Sequence, residues 1–128
     1  MNVELRAIRD LIEMALREDI GSGDITSDSV VPADAQARGT IKSKSEGIVA
    51  GLGVAGETFR MLDPGINFRR MVSDGAEIHP GQELAIAEGS ARSILTAERT
   101  VLNFLQRLSG IATMTSRYVR AASGCRVK

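Results

Sequence analysis

Residues 3–18 place Leu5, Ile8, Ile12 and Ala15 at helical spacing, with Leu11 and Leu16 beside them, which predicts a helix with one buried face. Gly21 and Gly23 end it, Asp24 stands where it caps a short turn over residues 25–28, and Pro32 closes that piece. From residue 37 to 44 the period changes to two. Ala37, Gly39, Ile41 and Ser43 alternate with Arg38, Thr40, Lys42 and Lys44, the pattern of a half-buried strand with a basic outer face. Residues 47–51 form a second short apolar strand between glycines, and residues 54–62 a short helix burying Val54, Ala55, Phe59 and Leu62. Asp63-Pro64-Gly65 stops that helix. Residues 66–72 alternate as another strand, Asp74-Gly75 and His79-Pro80-Gly81 are turns, and residues 83–88 are a strand with Leu84 and Ile86 inward. A strand over residues 91–95 leads into a long helix with Thr96 as its N-cap. Gly110 bends this helix, Met114, Tyr118 and Ala121 continue its apolar face, Gly124 stops it, and residues 125–128 begin one more strand. Helices at both ends of a run of strands imply an α+β domain: a small, mostly antiparallel sheet covered by the N-terminal and the long C-terminal helix.

Bulk properties narrow the function. A chain of 128 residues fits one domain with one core, and no linker or repeat divides it. Sixteen basic and sixteen acidic side chains cancel, so no global field favours nucleic acid or an anionic membrane. One Tyr, three Phe and no Trp provide few platforms for stacking bases. Cys125 is the sole cysteine, which excludes an intrachain disulfide and suits a reducing cytoplasm. The first residues are too charged for a signal peptide, and no apolar run approaches the ~20 residues that span a bilayer.

The long helix carries the most informative chemistry. At ~100° per residue, Ala97, Val101, Phe104, Leu105, Leu108, Ile111 and Ala112 share one broad face. Arg99, Asn103, Gln106, Gly110 and Thr113 share the opposite one, in a stripe roughly 80° wide. Solvated faces are usually rich in Lys and Glu; this one is uncharged apart from Arg99. With Thr96 as N-cap, Arg99 falls in the first turn, where a cation opposes the helix dipole by ~0.3–1 kcal/mol. An arginine so placed suggests a fixed anionic partner. The alternative on spacing alone is an ordinary solvated arginine.

Other candidates resolve toward structure. Glu18, Asp19, Asp24 and Asp28 lack the spacing of an oxygen-ligand calcium loop and read as helix termination followed by capping. His79, the one histidine, lies in a turn, so a multi-histidine metal site is excluded. Cys125, beside Arg126, reads as a packing residue rather than a reactive thiol. Residues 72–91 have the turn rhythm of a biotinyl or lipoyl hammerhead, but no lysine occurs between Lys44 and Lys128 to carry the cofactor. Gly51-Leu52-Gly53-Val54-Ala55-Gly56 matches the bare dinucleotide pattern after a short strand, with Asp74 at about the acidic position. The meander that follows favours turn and packing glycines over a nucleotide.

Residues 96–113, TAERTVLNFLQRLSGIAT, resemble the long-helix signature of the quinolinate phosphoribosyltransferases, the decarboxylating nicotinate-nucleotide pyrophosphorylases. Residues 18–26, EDIGSGDIT, resemble that family's acidic glycine loop, and residues 39–59 its first strands and following helix. The resemblance implies the family's N-terminal domain over residues 1–128, with a large barrel domain following that this sequence does not include. It implies transfer of phosphoribose from 5-phosphoribosyl-1-pyrophosphate to quinolinate, releasing pyrophosphate and carbon dioxide and forming nicotinate mononucleotide for NAD synthesis. Mg²⁺ is then bound by the barrel and no cofactor by this domain, which leaves the isolated chain inactive. It implies a cytoplasmic homo-oligomer in which Arg99 enters the neighbouring subunit's site and grips a quinolinate carboxylate. No catalytic residue is carried over beyond that contact, and neither nucleic acid nor membrane is a partner. Two other readings stand beside it: a related phosphoribosyltransferase-like protein associated with molybdenum transport, which shares this domain plan, and a non-catalytic stand-alone dimerisation or substrate-presenting module.

Overall fold

The computed structural model describes residues 3–21 and 31–125. In chain order they form α1 (Val3–Gly21), β1 (Gln36–Lys42), β2 (Gly47–Ile48), α2 (Leu52–Leu62), β3 (Asn67–Arg70), β4 (Glu77–Ile78), β5 (Glu83–Ser90) and α3 (Ala91–Cys125). The expected capping by Asp24 and the turn over residues 25–28 lie outside the described residues; of the strand expected over residues 125–128, Cys125 is instead the last residue of α3 and the rest lie outside the described residues.

The fold is α+β, as the periodicity implies. β1, β5 and β3 form a three-stranded antiparallel sheet in that order, and β2 pairs antiparallel with β4 in a separate two-stranded ribbon. No closed barrel occurs among the described residues. β5 is the central strand, which is why four consecutive residues from Leu84 to Ala87 are buried where alternation predicts only two inward positions. Ala85 and Ala87 join the core between the sheet and the helices. Ile86 points the other way and lies between Thr40 and Arg69 of the flanking strands. The strand Glu77–Ile78, unmarked by any alternating run, exists because Gly47 and Ile48 pair with it and Val49 accepts and donates backbone hydrogen bonds across the next turn.

The core consists of Val49, Leu52, Ala55, Phe59, Ile66, Ile78, Leu84, Ala85, Ala87, Ile94, Ala97, Val101 and Leu105. α1 sits on its edge. Ile12 and Leu16 are buried, whereas Ile8 and Leu11, which share the predicted apolar face, are exposed. Burying two such side chains contributes roughly 3–6 kcal/mol. Polar contacts tie α1 to its neighbours at two places: Arg9 Nε lies 3.0 Å from Glu57 Oε1 on α2, and the Thr100 hydroxyl of α3 donates to Asp19 Oδ2 at 2.5 Å.

α3 corrects the expected strand over residues 91–95, for the helix begins at Ala91. Ser90 accepts from the Ser93 N–H at 3.4 Å, the geometry of a serine N-cap. The Ala91 N–H donates to the Ala35 carbonyl at 2.9 Å. Thr96 is therefore interior, and its hydroxyl donates back to the Arg92 carbonyl at 2.7 Å. α3 runs through Gly110 without interruption.

Candidate functional site

The re-dated helix start changes the electrostatics of Arg99. It is about two turns inside α3, and dipole effects fade beyond the first turn. The expected conflict with the dipole is therefore absent for Arg99. What remains is its presentation. Ala97, Val101 and Leu105 are anchored in the core and Thr100 is tied to Asp19, while Arg99 is exposed on the side away from them. Arg99 makes no ion pair with a carboxylate among the described residues. A rigid backbone thus offers an uncompensated guanidinium to solvent, an arrangement suited to gripping a carboxylate by two parallel N–H···O bonds.

The stripe expected beside it is only partly free. Asn103, Gln106 and Gly110 are exposed, but Thr113 is not part of an open face. Its hydroxyl accepts from the Ile48 N–H at 2.9 Å and lies 3.4 Å from the Ile48 carbonyl, to which it donates. Ser109 does the same to Ala50, accepting from its N–H at 2.9 Å and donating to its carbonyl at 3.1 Å. Residues four apart on a helix rise about 6 Å, and residues two apart on a strand about 6.6 Å. The two hydroxyls therefore match the spacing of a strand edge and satisfy it as a neighbouring strand would. Gly47 permits the approach: a Cβ there would lie 2.6 Å from Thr113 Oγ1. The S-x-x-x-T spacing was the available signal, and it was not recognisable without β2 in place.

The glycine pattern of residues 51–56 is accounted for by packing. Gly51 caps α2 with φ +98°, a left-handed conformation that favours glycine. A Cβ on Gly56 would meet the Phe68 ring at 2.9 Å. The α2 N-terminus, where a dinucleotide would place its pyrophosphate, is filled from within: Leu52 and Gly53 N–H groups donate to the Asp74 carboxylate at 2.8 and 3.3 Å. Asp74, about twenty residues on from the glycines as the pattern asks, caps the helix instead of binding a ribose.

His79 is exposed, its Nδ1 3.7 Å from Glu46 Oε1. It lines an open cleft of about 290 Å³ with Glu77, Arg117 and Arg120, between β2, β4 and α3. Glu77 pairs with Arg120 at 3.7 Å, so the cleft is largely neutralised by its own charges. Of the acidic loop, Glu18 is exposed and Asp19 accepts from Thr100, while Asp24 and Asp28 are outside the described residues. The side chain of Cys125 is also outside them. Among the described residues no three His, Cys, Asp or Glu come together in a way that could hold a metal ion. Asp63 links the end of α2 to the start of α3. It accepts from the Ser93 hydroxyl at 2.8 Å and from the Gly65 N–H at 2.9 Å, and these bonds hold its carboxyl below the ordinary aspartate range.

The family model described as quinolinate phosphoribosyl transferase, N-terminal domain, matches residues 24–109, a span that leaves out α1 and the last part of α3. A chloroplastic nicotinate-nucleotide pyrophosphorylase (carboxylating) of Oryza sativa subsp. japonica is 41% identical over 116 residues, covering 90% of this chain and 31% of that relative. A probable nicotinate-nucleotide pyrophosphorylase (carboxylating) of Bacillus subtilis is 40% identical over 121 residues, covering 94% of this chain and 42% of the relative. The crystal structure of NadC from Streptococcus pyogenes shares the fold with a TM-score of 0.85 at 39% identity, over 90% of this chain and 42% of that one. The chain thus spans between 31% and 42% of the length of these proteins. The match over residues 24–109, together with the shared fold at this identity, makes the chain a member of the quinolinate phosphoribosyltransferase family, whose N-terminal domain it carries.

Proposed function

We propose that this domain presents substrate-binding groups in an enzyme that joins quinolinate to 5-phosphoribosyl-1-pyrophosphate, releasing pyrophosphate and carbon dioxide and forming nicotinate mononucleotide for NAD synthesis. Arg99 carries the reading. It is exposed, uncompensated among the described residues, and mounted on a helix whose opposite face is locked in the core. Quinolinate bears two adjacent carboxylates, which suit its planar fork. An outward-facing arginine serves a site completed by another part of the assembly, in this reading the neighbouring subunit of a homo-oligomer. The names of the relatives, nicotinate-nucleotide pyrophosphorylases and quinolinate phosphoribosyltransferases, favour quinolinate over molybdenum transport as the context.

Transfer of this kind proceeds by positioning and by stabilising charge on the departing pyrophosphate. Magnesium supplies that stabilisation when bound. In this reading the ligands of the magnesium lie in the remainder of the enzyme; among the described residues no three His, Cys, Asp or Glu come together to hold it. The chain alone is expected to form no nicotinate mononucleotide. The sole cysteine is compatible with a reducing compartment such as the cytoplasm, and no helix among the described residues is long and apolar enough to cross a membrane.

The test is Arg99→Ala in the enzyme carrying this domain together with the remainder its relatives possess. The expected loss in kcat/KM for quinolinate is roughly 30- to 1,000-fold, about 2–4 kcal/mol, with the KM for phosphoribosyl pyrophosphate little changed. Arg99→Lys should recover part of it, keeping the charge without the fork. Unchanged quinolinate kinetics in Arg99→Ala would refute the assignment.

A further inference from the structure

In the folded protein the first-turn position expected for Arg99 is held by Arg92. α3 starts at Ala91, so Arg92 is the cation set against the positive end of the helix, and no acidic residue shares that turn. Arg9, Arg17, Arg38, Arg60, Arg69 and Arg120 each lie within ion-pair distance of a glutamate. Among the described arginines that do not, Arg92 alone is withdrawn from solvent rather than exposed. Its Nε donates to the Val31 carbonyl at 2.6 Å, which orients the guanidinium but supplies no counter-charge. Seven residues separate Arg92 from Arg99, so the two project from the same face of α3, about two turns apart.

We propose that Arg92 is a second anion-binding residue beside Arg99, its terminal nitrogens taking carboxylate or phosphoryl oxygens of a substrate of the same reaction. The proposal rests on the reading that this face of α3 enters a substrate site. Val31 holds the guanidinium in place before the ligand arrives, so little rotamer freedom is lost on binding. The helix N-terminus adds potential of the same sign.

Steady-state kinetics of Arg92→Ala, Arg92→Lys and Arg99→Ala, in the enzyme carrying this domain with the remainder of its relatives, tests this, with a thermal melt of each variant. Arg92→Ala should raise the KM for one substrate about tenfold or more, with kcat changed less and the melt little altered. Arg92→Lys should recover part of the loss. A rise for quinolinate alone assigns a carboxylate, and a rise for phosphoribosyl pyrophosphate alone assigns a phosphoryl group. Unchanged KM values for both substrates overturn the proposal. So does a lowered melt with both substrates affected equally, which is the result for a residue that only holds Val31. The Arg99→Ala arm separates the two ideas: an effect there with none at Arg92 removes this proposal alone. An effect at Arg92 with none at Arg99 leaves Arg92 assigned and removes Arg99.

Discussion

The two halves of α3 are one continuous helix with the same amphipathic spacing, yet they live in different surroundings. In the first half Ala97, Val101 and Leu105 are locked over the sheet and α2. In the second half the helix meets β2 and the residues just after it through the hydroxyls of Thr113 and Ser109, and β4 through the Arg120–Glu77 pair, while Ile111, Met114, Tyr118 and Val119 remain exposed. The contact face has moved around the helix because the element beneath it has changed. Apolar spacing therefore identifies what a helix is able to bury, while the neighbour decides what it does bury. The residues proposed to bind substrate follow the same division. Arg92 and Arg99 sit on the anchored half, where a fixed backbone makes a guanidinium's position reproducible.

The sharpest way to break this comparison is a pair of truncations. Leu105→Ala should cost about 2–5 kcal/mol in denaturant unfolding, from lost burial and the cavity left behind. Ile111→Ala, equally apolar but 57% exposed, should change stability by no more than about 0.5 kcal/mol. Equal losses would mean that the second half is as firmly packed as the first.

The hydroxyl clasp is the next largest effect. Thr113→Val keeps the shape but removes the partner of Ile48, and should cost about 1–2 kcal/mol. Ser109→Ala should act similarly, and the double variant should lose less than the sum if the pair works as one unit. Simple additivity in that cycle would mean two independent contacts.

Gly110 sharpens the comparison from the other side. A Cβ there would meet nothing within 4 Å, so Gly110→Ala should stabilise the domain by about 0.5–1 kcal/mol through helix propensity. Destabilisation would reveal a close neighbour at that position.

The smallest effect is set by pH at the junction of α2 and α3. The Ser93 hydroxyl and the Gly65 N–H favour the charged form of Asp63 and depress its folded-state pKa. A depressed carboxyl contributes stability that is full above its unfolded value of about 3.9 and is lost as pH falls through the lower folded value. Asp63→Asn should flatten that part of the stability profile in acid, while leaving stability near neutral pH slightly reduced. A profile unchanged by the substitution would show that other carboxylates account for acid sensitivity.

The sequence by itself determined the helix–strands–helix order, the α+β class and the family, because periodicity, turn residues and ordered motifs are local in the chain. It also exposed Arg99 as a cation on an otherwise uncharged stripe. Tertiary structure decided where α3 begins, because the cap is Ser90 and its first N–H is taken by Ala35, a residue remote in sequence. That moved the first-turn position from Arg99 to Arg92. It also removed Thr113 from the open stripe and set Asp74 on the α2 N-terminus, where the glycine pattern alone left room for a phosphate. Each of these depends on a partner distant along the chain, and a side chain's pattern records its capacity for a contact, not which partner the fold delivers.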